Sequence, residues 1–348
     1  MMRVLHLAPH YGGGVGTSVV GIIEAIPGTH TLLALENTLD TKSILFTSRK
    51  DFNLVKLENF FSDSIKQSTD LFILHYWNSP VWEKLKEYAK FQIVGKLILL
   101  HHRNFKFSGH EVQSLAKHFS KVVQSGFESR LLPSDWETVP TCRTLSPPKS
   151  IRNICDRSGA VYLGTLSFKK VADDFFYFCE KLDSFGVSVE IWGKKIDTTF
   201  TKAINSYRKS NVTLRGYADN ALSVLARYKF LLYPLTKNHF GTTENSLLEA
   251  MCVGTVPIIH DNVVERFILG EELSSLVSLD NAFAEGGDGI IQSTEVQLKA
   301  SKLAQQRAQS LTRVELRASK WKAILSHKEC SVRELSIESL SRSLARFF

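Results

Sequence analysis

An α/β chain with two doubly wound parallel sheets is what this sequence predicts, and three observations carry the prediction. Its 348 residues exceed what one core of ordinary size organises, so two domains are expected. Short apolar runs of strand length alternate with longer helix-like segments over most of the chain, the pattern of βαβ units. A polar, proline-bearing stretch, TLSPPKSIRN, interrupts that alternation near the middle and reads as a boundary. The expected limits are 1–150 for an N-terminal domain, 151–325 for a C-terminal domain, and 326–348 for a C-terminal amphipathic helix packing back on the first.

In chain order, the strands expected in the first half are Arg3–Ala8, Thr31–Leu35, Leu71–His75, Lys96–His101 and Lys121–Gln124. Those of the second half are Ala160–Leu163, Ser188–Trp192, Val212–Arg215, Phe230–Tyr233 and Val256–Ile259. Doubly wound sheets bind ligands at the carboxyl ends of their strands, and two such domains facing each other leave a central cleft. In the last segment, SVRELSIESLSRSLARFF, apolar residues at Val332, Leu335, Ile337, Leu340, Leu344 and Phe347 fit a helical stripe. Arg333, Arg342 and Arg346 lie among its polar positions. Such a helix serves either as packing against its own protein or as a contact with an anionic membrane surface.

Bulk properties narrow the class. Hydrophobic content of 43% is globular, and no apolar run approaches the length that spans a bilayer. The N-terminal MMRVLHLAPH reads as a buried strand, not a signal peptide, so a cytoplasmic location is expected. The formal charge of +8 favours anionic partners: phosphorylated small molecules, nucleic acid or anionic lipid. No basic block or aromatic RNA-binding signature accompanies it, and nucleic acid is not expected. The five cysteines are scattered without a C-x-x-C pair, which speaks for free thiols.

The first strand runs into APHYGGGVGTSVVGII, where Gly12, Gly13, Gly14 and Gly16 let backbone N–H groups approach a phosphate at a helix N-terminus. A dinucleotide fingerprint counted from Gly12 would need glycine where Thr17 stands, although Glu36 ends the next strand at a suitable distance. No P-loop lysine follows. FILHYWNSP places His75, Tyr76 and Trp77 at one strand end, and LILLHHRNFKF places His101, His102 and Arg103 at another. A histidine there can take a proton from a hydroxyl or hydrogen-bond a sugar.

In the second half, YLGTLSFKK is a strand followed by a loop whose Lys169 and Lys170 can face a diphosphate. Asn238–Ile259 is a polar loop, a helix closed by Gly254, and a strand. Thr242 or Thr243 can cap the helix, and the backbone N–H groups of Glu244, Asn245 and Ser246 can hold phosphate. Asn245 and Glu249 share a face, which suits the Glu249 carboxylate to both hydroxyls of a ribose. Leu247, Leu248 and Met251 are assigned to the core.

ENSLLEAMCVGTVPII resembles the donor-binding signature of family 4 retaining glycosyltransferases, which have the GT-B fold of two Rossmann-like domains. HYGGGVGTSV is similar to that family's first glycine-rich loop, YLGTLSFKK to its phosphate-binding loop, and LILLHH to its strand-end histidine. The resemblance implies transfer of a sugar from a nucleoside diphosphate sugar to an acceptor hydroxyl, with retention. It implies no cofactor and no metal; the D-x-D metal motif of GT-A enzymes is also absent from the sequence. Glu249 would grip the ribose, while His239, Gly241, Thr242, Thr243, Gly14 and Gly16 would line the donor site. His101 or, preferably, His102 would meet the donor sugar or the acceptor. Two departures stand out. The family's first glutamate falls on Gly241, leaving Glu244 as the nearest acid. Its loop arginine falls on Thr165, leaving the diphosphate to Lys170, with Lys169 in reserve. Basic charge and the C-terminal segment point to a lipid-linked glycan acceptor, as in bacterial lipopolysaccharide or other surface polysaccharide synthesis, and to peripheral membrane contact. The alternatives are a non-hydrolysing nucleotide-sugar 2-epimerase and a catalytically degenerate binding subunit of the same fold.

Overall fold

The structure, a computed structural model, describes residues 1–36, 51–60, 66–102, 109–126, 137–194, 197–207, 211–284 and 289–344. Arg103, Arg346 and Phe347 lie outside the described residues. The chain divides into two compact units. The first comprises Met1–Thr144, Gly241–Thr243 and Thr312–Phe348; the second comprises Leu145–Phe240 and Glu244–Leu311.

The first unit begins with β1 (Met2–Ala8), α1 (Gly13–Ala25), β2 (Gly28–Ala34) and β3 (Phe52–Val55). It continues with β4 (Lys66–Tyr76), β5 (Gln92–His101), α2 (Gly109–Ala116), β6 (Lys121–Ser125) and β7 (Glu137–Val139). The strands pair in parallel in the order β3-β2-β1-β4-β5-β6-β7. β1, β4 and β5 read as near-continuous apolar runs because both sheet faces are covered. Alternate residues divide between the two faces. Phe72, Leu74, Leu97 and Leu99 pack with Trp82 and Leu85, while Ile73, Ile98 and Leu100 pack with Ile22 and Val123. Gly12 caps α1 and Gly13 takes φ +58°, a turn that other residues adopt only under strain. β3 and β7 went unrecognised in the sequence because each is short and carries little apolar alternation.

The second unit holds β8 (Ser158–Leu163), α3 (Phe175–Ser184), β9 (Val189–Trp192), β10 (Val212–Gly216) and β11 (Tyr228–Tyr233). After these come α4 (Asn245–Cys252), β12 (Val256–Ile259), α5 (Val263–Leu269) and α6 (Thr294–Leu311). Its parallel order is β10-β9-β8-β11-β12.

The chain returns to the first unit at Thr312, earlier than the expected limit at 325. Helix α7 (Val314–Ser326) packs against α1, bringing Trp321 and Ile324 into the core beside Ile22. Buried Arg317 secures this return. Its guanidinium donates to Thr312 O (2.6 Å), Glu24 Oε2 (2.6 Å) and Thr144 Oγ1 (2.9 Å).

The tail corrects the expected single helix over 326–348. Val332–Ser336 is a strand, β13, antiparallel to Gln92–Lys96 of β5, and among the described residues after Ser326 the helical part is Ile337–Leu344, α8. The reason lies in strand length: β6 covers β5 only from Ile98 to His101, and β13 supplies hydrogen bonds to the part left open. Leu335, Ile337, Leu340 and Leu344 are buried with Trp82 and Leu85. Among the described apolar residues of the tail, these four are therefore spent on this unit's own core, whereas Val332 is exposed. Among the described residues no helix is long and apolar enough to cross a membrane. The five cysteines are free, and Cys142, Cys179, Cys252 and Cys330 are buried.

Candidate functional site

Each sheet has a switch point, where the strand order departs in opposite directions and the carboxyl ends open a crevice. In the second unit it lies between β8 and β11. The loop after β8 carries Lys170, and the loop after β11 carries His239 and Glu244. Backbone pairing locks these loops together. Val171 bridges Leu235, Thr236 N donates to Lys170 O (2.9 Å), and Ala172 N donates to Pro234 O (2.9 Å). Asn262 Nδ2 donates to Leu235 O (3.1 Å) and ties in the start of α5.

That pairing brings together a buried charged cluster. Lys170 Nζ lies 2.9 Å from Glu244 Oε2, and the Tyr233 hydroxyl donates to the same oxygen (2.6 Å). His239 stands between two carboxylates, with Nδ1 3.4 Å from Glu244 Oε1 and Nε2 2.8 Å from Glu265 Oε1. The Lys170 ammonium also lies over the Tyr233 ring, 5.8 Å from its centroid. Burial by itself would raise the Glu244 carboxyl, but Lys170, His239 and the Tyr233 hydroxyl outweigh it and hold the group down to about 2. Burial opposes charge on His239 as well, yet the bond to Glu265 and the nearby Glu244 carboxylate raise its pKa above the ordinary value. Tyr233 and Tyr162, whose rings stack at 5.7 Å, are pushed well above the usual phenol range by burial and then by Glu244. Tyr233 therefore stays a donor.

Glu244 is the N-cap of α4 and has φ 41°, the one non-glycine residue with positive φ among those described. The left-handed conformation costs a residue with a Cβ about 1–2 kcal/mol. The expected caps, Thr242 and Thr243, do not play that part, since the helix begins one residue later. The acid role that the resemblance left to Glu244 also changes. Its side chain is 1% exposed and holds Lys170 in place, so it is not an acid open to a sugar.

The remaining expected residues divide by exposure. On α4, Leu247, Leu248 and Met251 are buried, whereas Asn245, Ser246 and Glu249 are half-exposed along one side. Gly241 and Thr242 are half-exposed and Thr243 is buried. Thr165 O accepts from the Tyr162 hydroxyl (2.8 Å). Lys169 is exposed, and it is Lys170 that joins the cluster. In the first unit, β1, β4 and β5 are neighbours around the other switch point. Their carboxyl ends bring the glycine-rich loop, with exposed Gly14 and buried Gly16, to the same sheet edge as His75, His101 and His102. His101 is fully buried. His102 is partly buried, with Nε2 3.0 Å from His75 Nδ1.

His239, Glu244 and Glu265 offer ligand atoms within 4.8 Å of one another. A divalent ion fits that set poorly. Lys170 and Tyr233 already engage Glu244, and the raised pKa of His239 favours its protonated form, which cannot bind a cation. Sequence reasoning missed Tyr233 and Glu265. Glu265 left a signal: it falls on the same helical face as Ile268 and Leu269, and all three are buried. A lone carboxylate on an apolar face needs a partner.

No known family model and no curated protein matches this chain. Solved structures do. HepE of Anabaena, in complex with UDP-glucose, matches with TM-score 0.63 at 14% identity over 94% of this chain and 100% of HepE. AviGT4, a glycosyltransferase involved in avilamycin A biosynthesis, matches with TM-score 0.58 at 12% identity over 96% of this chain and 100% of AviGT4. TarM matches with TM-score 0.53 at 13% identity over 74% of this chain and 54% of its own, so the chain spans about half of TarM. At these identities the likeness is one of fold, and the fold is that of the GT-B glycosyltransferases, two parallel-sheet α/β domains.

Proposed function

We propose that the protein is a retaining glycosyltransferase of the family 4 type, moving a sugar from a nucleoside diphosphate sugar to an acceptor hydroxyl. The observation that carries this is the Lys170–Glu244–His239 cluster, built from the two loops that flank a sheet's switch point and set at the start of α4. In the reaction the bond from the anomeric carbon to the diphosphate breaks, the acceptor oxygen bonds to that carbon, and its proton is released. The anomeric carbon passes through an oxocarbenium-like state, and negative charge grows on the leaving diphosphate. Lys170 supplies the countercharge, held ready by Glu244 so that little reorganisation is needed. The backbone N–H groups at the start of α4 add the positive end of the helix dipole. Glu249 accepts hydrogen bonds from the ribose, and His102 contacts the sugar or the acceptor.

UDP-glucose, bound by HepE, makes uridine diphosphate sugars the first donors to try. The proposed acceptor is a lipid-linked glycan of a bacterial surface polysaccharide, reached at the cytoplasmic face of the membrane. The net charge of +8 supports work near an anionic surface; the buried Leu335, Ile337, Leu340 and Leu344 do not add to that support.

Calorimetry with UDP and a panel of UDP-, GDP- and dTDP-sugars tests the reading. Hydrogen bonds to a charged group contribute about 1.5–3 kcal/mol, so Glu249→Ala is expected to weaken nucleotide binding roughly 10- to 100-fold. An unchanged Kd removes Glu249 from the site and the donor assignment with it.

A further inference from the structure

Four histidines form one row through the first unit. His30 stands on β2, His6 on β1 and His75 on β4, and His102 follows β5; these four strands are neighbours in the sheet. The register explains the row. His30 is level with Val4, His6 with Ile73, and His75 with Leu100, so each next histidine stands two residues farther along its strand. A step of two keeps every side chain on one face. The contacts are continuous: His30 Nε2 to Ile26 O at 2.9 Å, His6 Nε2 to His30 Nδ1 at 2.9 Å, His75 Nε2 to His6 Nδ1 at 3.0 Å, and His102 Nε2 to His75 Nδ1 at 3.0 Å.

A neutral imidazole has one N–H and one lone pair. The inner end of the row is a backbone carbonyl, which only accepts. His30 must donate to it from Nε2, which leaves Nδ1 to accept from His6. The same logic passes outward through His75. Any break in this order would set two N–H groups or two lone pairs against each other inside the sheet, leaving buried polar atoms unsatisfied. We infer that His6, His30 and His75 are positioning residues that fix His102 as the Nε2–H tautomer, presenting a lone pair at Nδ1 to a hydroxyl of the sugar or acceptor. Such an atom accepts from a hydroxyl and repels a carbonyl or phosphate oxygen. Burial favours the neutral form of His6, His75 and His102. It holds His6 and His75 well below the usual histidine range, with their histidine neighbours adding to the effect, and lowers His102 to about 3, with His10 contributing. The substrate role of His102 rests on the transferase reading; the tautomer does not.

Nitrogen NMR of the full chain with ¹⁵N-labelled histidine, without nucleotide, is the test, with His102 assigned by its loss in His102→Gln. Wild type is expected to carry its proton on His102 Nε2. His30→Gln keeps an amide N–H for Ile26 O and an oxygen for His6, and is expected to preserve that signature. His30→Leu removes the anchor and is expected to give a mixture of tautomers, with kcat on a nucleotide sugar down about tenfold and KM for the nucleotide sugar unchanged. A proton on Nδ1 in wild type, or an unaltered tautomer in a folded His30→Leu, overturns the inference. Should His30→Leu fail to fold, the wild-type and His30→Gln spectra decide. An Nε2–H signature in a protein that turns over no nucleotide sugar leaves the tautomer standing and removes the transferase reading alone.

Discussion

Replacing Glu244 by glutamine keeps the shape of the side chain and deletes the charge beside Lys170 and His239. A carboxyl lowered from 4.5 to about 2 is favoured in its ionised form by about 3 kcal/mol, at ~1.4 kcal/mol per pH unit. Breaking a buried pair by removing one partner costs about 3–5 kcal/mol, the same range. Because the folded-state value is depressed, this stabilisation is present above the ordinary carboxylate range and is lost as pH falls towards 2. At pH 7 the Glu244→Gln variant should therefore lose about 3 kcal/mol, read as a lower urea midpoint from the fluorescence of Trp192 in the same unit. Lys170→Met should behave alike. The double variant should cost less than the sum by about 2 kcal/mol, since a contacting pair couples. The pKa of His239, which Glu244 helps to raise, should fall in the single variant. A loss below about 0.5 kcal/mol, or simple additivity in the double variant, refutes the clustered-charge account.

The histidine row should make the first unit acid-sensitive. His6, His75 and His102 have folded-state values below the unfolded one, so their stabilisation is complete above about pH 6.5 and declines below it, by up to ~1.4 kcal/mol per pH unit for each group. The urea midpoint of this unit should drop between pH 6.5 and 5, and His75→Gln should flatten the slope by one proton's worth; a level profile contradicts the neutral row. At Gly21 an added Cβ would overlap the backbone of Thr141 and Cys142, so Gly21→Ala should destabilise by about 1–3 kcal/mol, measured as a lower Tm, despite the better helix propensity of alanine. Leu340 is fully buried among Trp82 and its neighbours, and Leu340→Asp should cost upwards of about 3 kcal/mol. Leu298→Asp, at a position 43% exposed, should change the unfolding curve little. Equal effects of the two would show that the tail does not pack on this unit.

Ten strands were legible from apolar runs alone, because a parallel sheet covered on both faces writes its strands as continuous hydrophobic stretches. His239 and Glu244 could likewise be named from the sequence, since polar groups crowding the mouth of a short helix are visible in one dimension, and Lys170 from the loop that follows its strand in YLGTLSFKK. Local pattern failed where a distant partner decides the outcome. VRELS scans as part of a helix and becomes a strand because β5 has an open edge. Glu244 scans as an acid facing the donor sugar and becomes a buried anion because two loops joined at Val171 and Leu235 carry Lys170 over it. His6 and His30 scan as isolated residues in apolar strands. Only the strand order and a register climbing two residues at each step line them up behind His102. Composition and periodicity determine which faces are buried, since burial of apolar area is a sum over residues; which polar atoms meet inside is a matter of hydrogen bonds near 3 Å, and those depend on pairing between segments far apart in the chain.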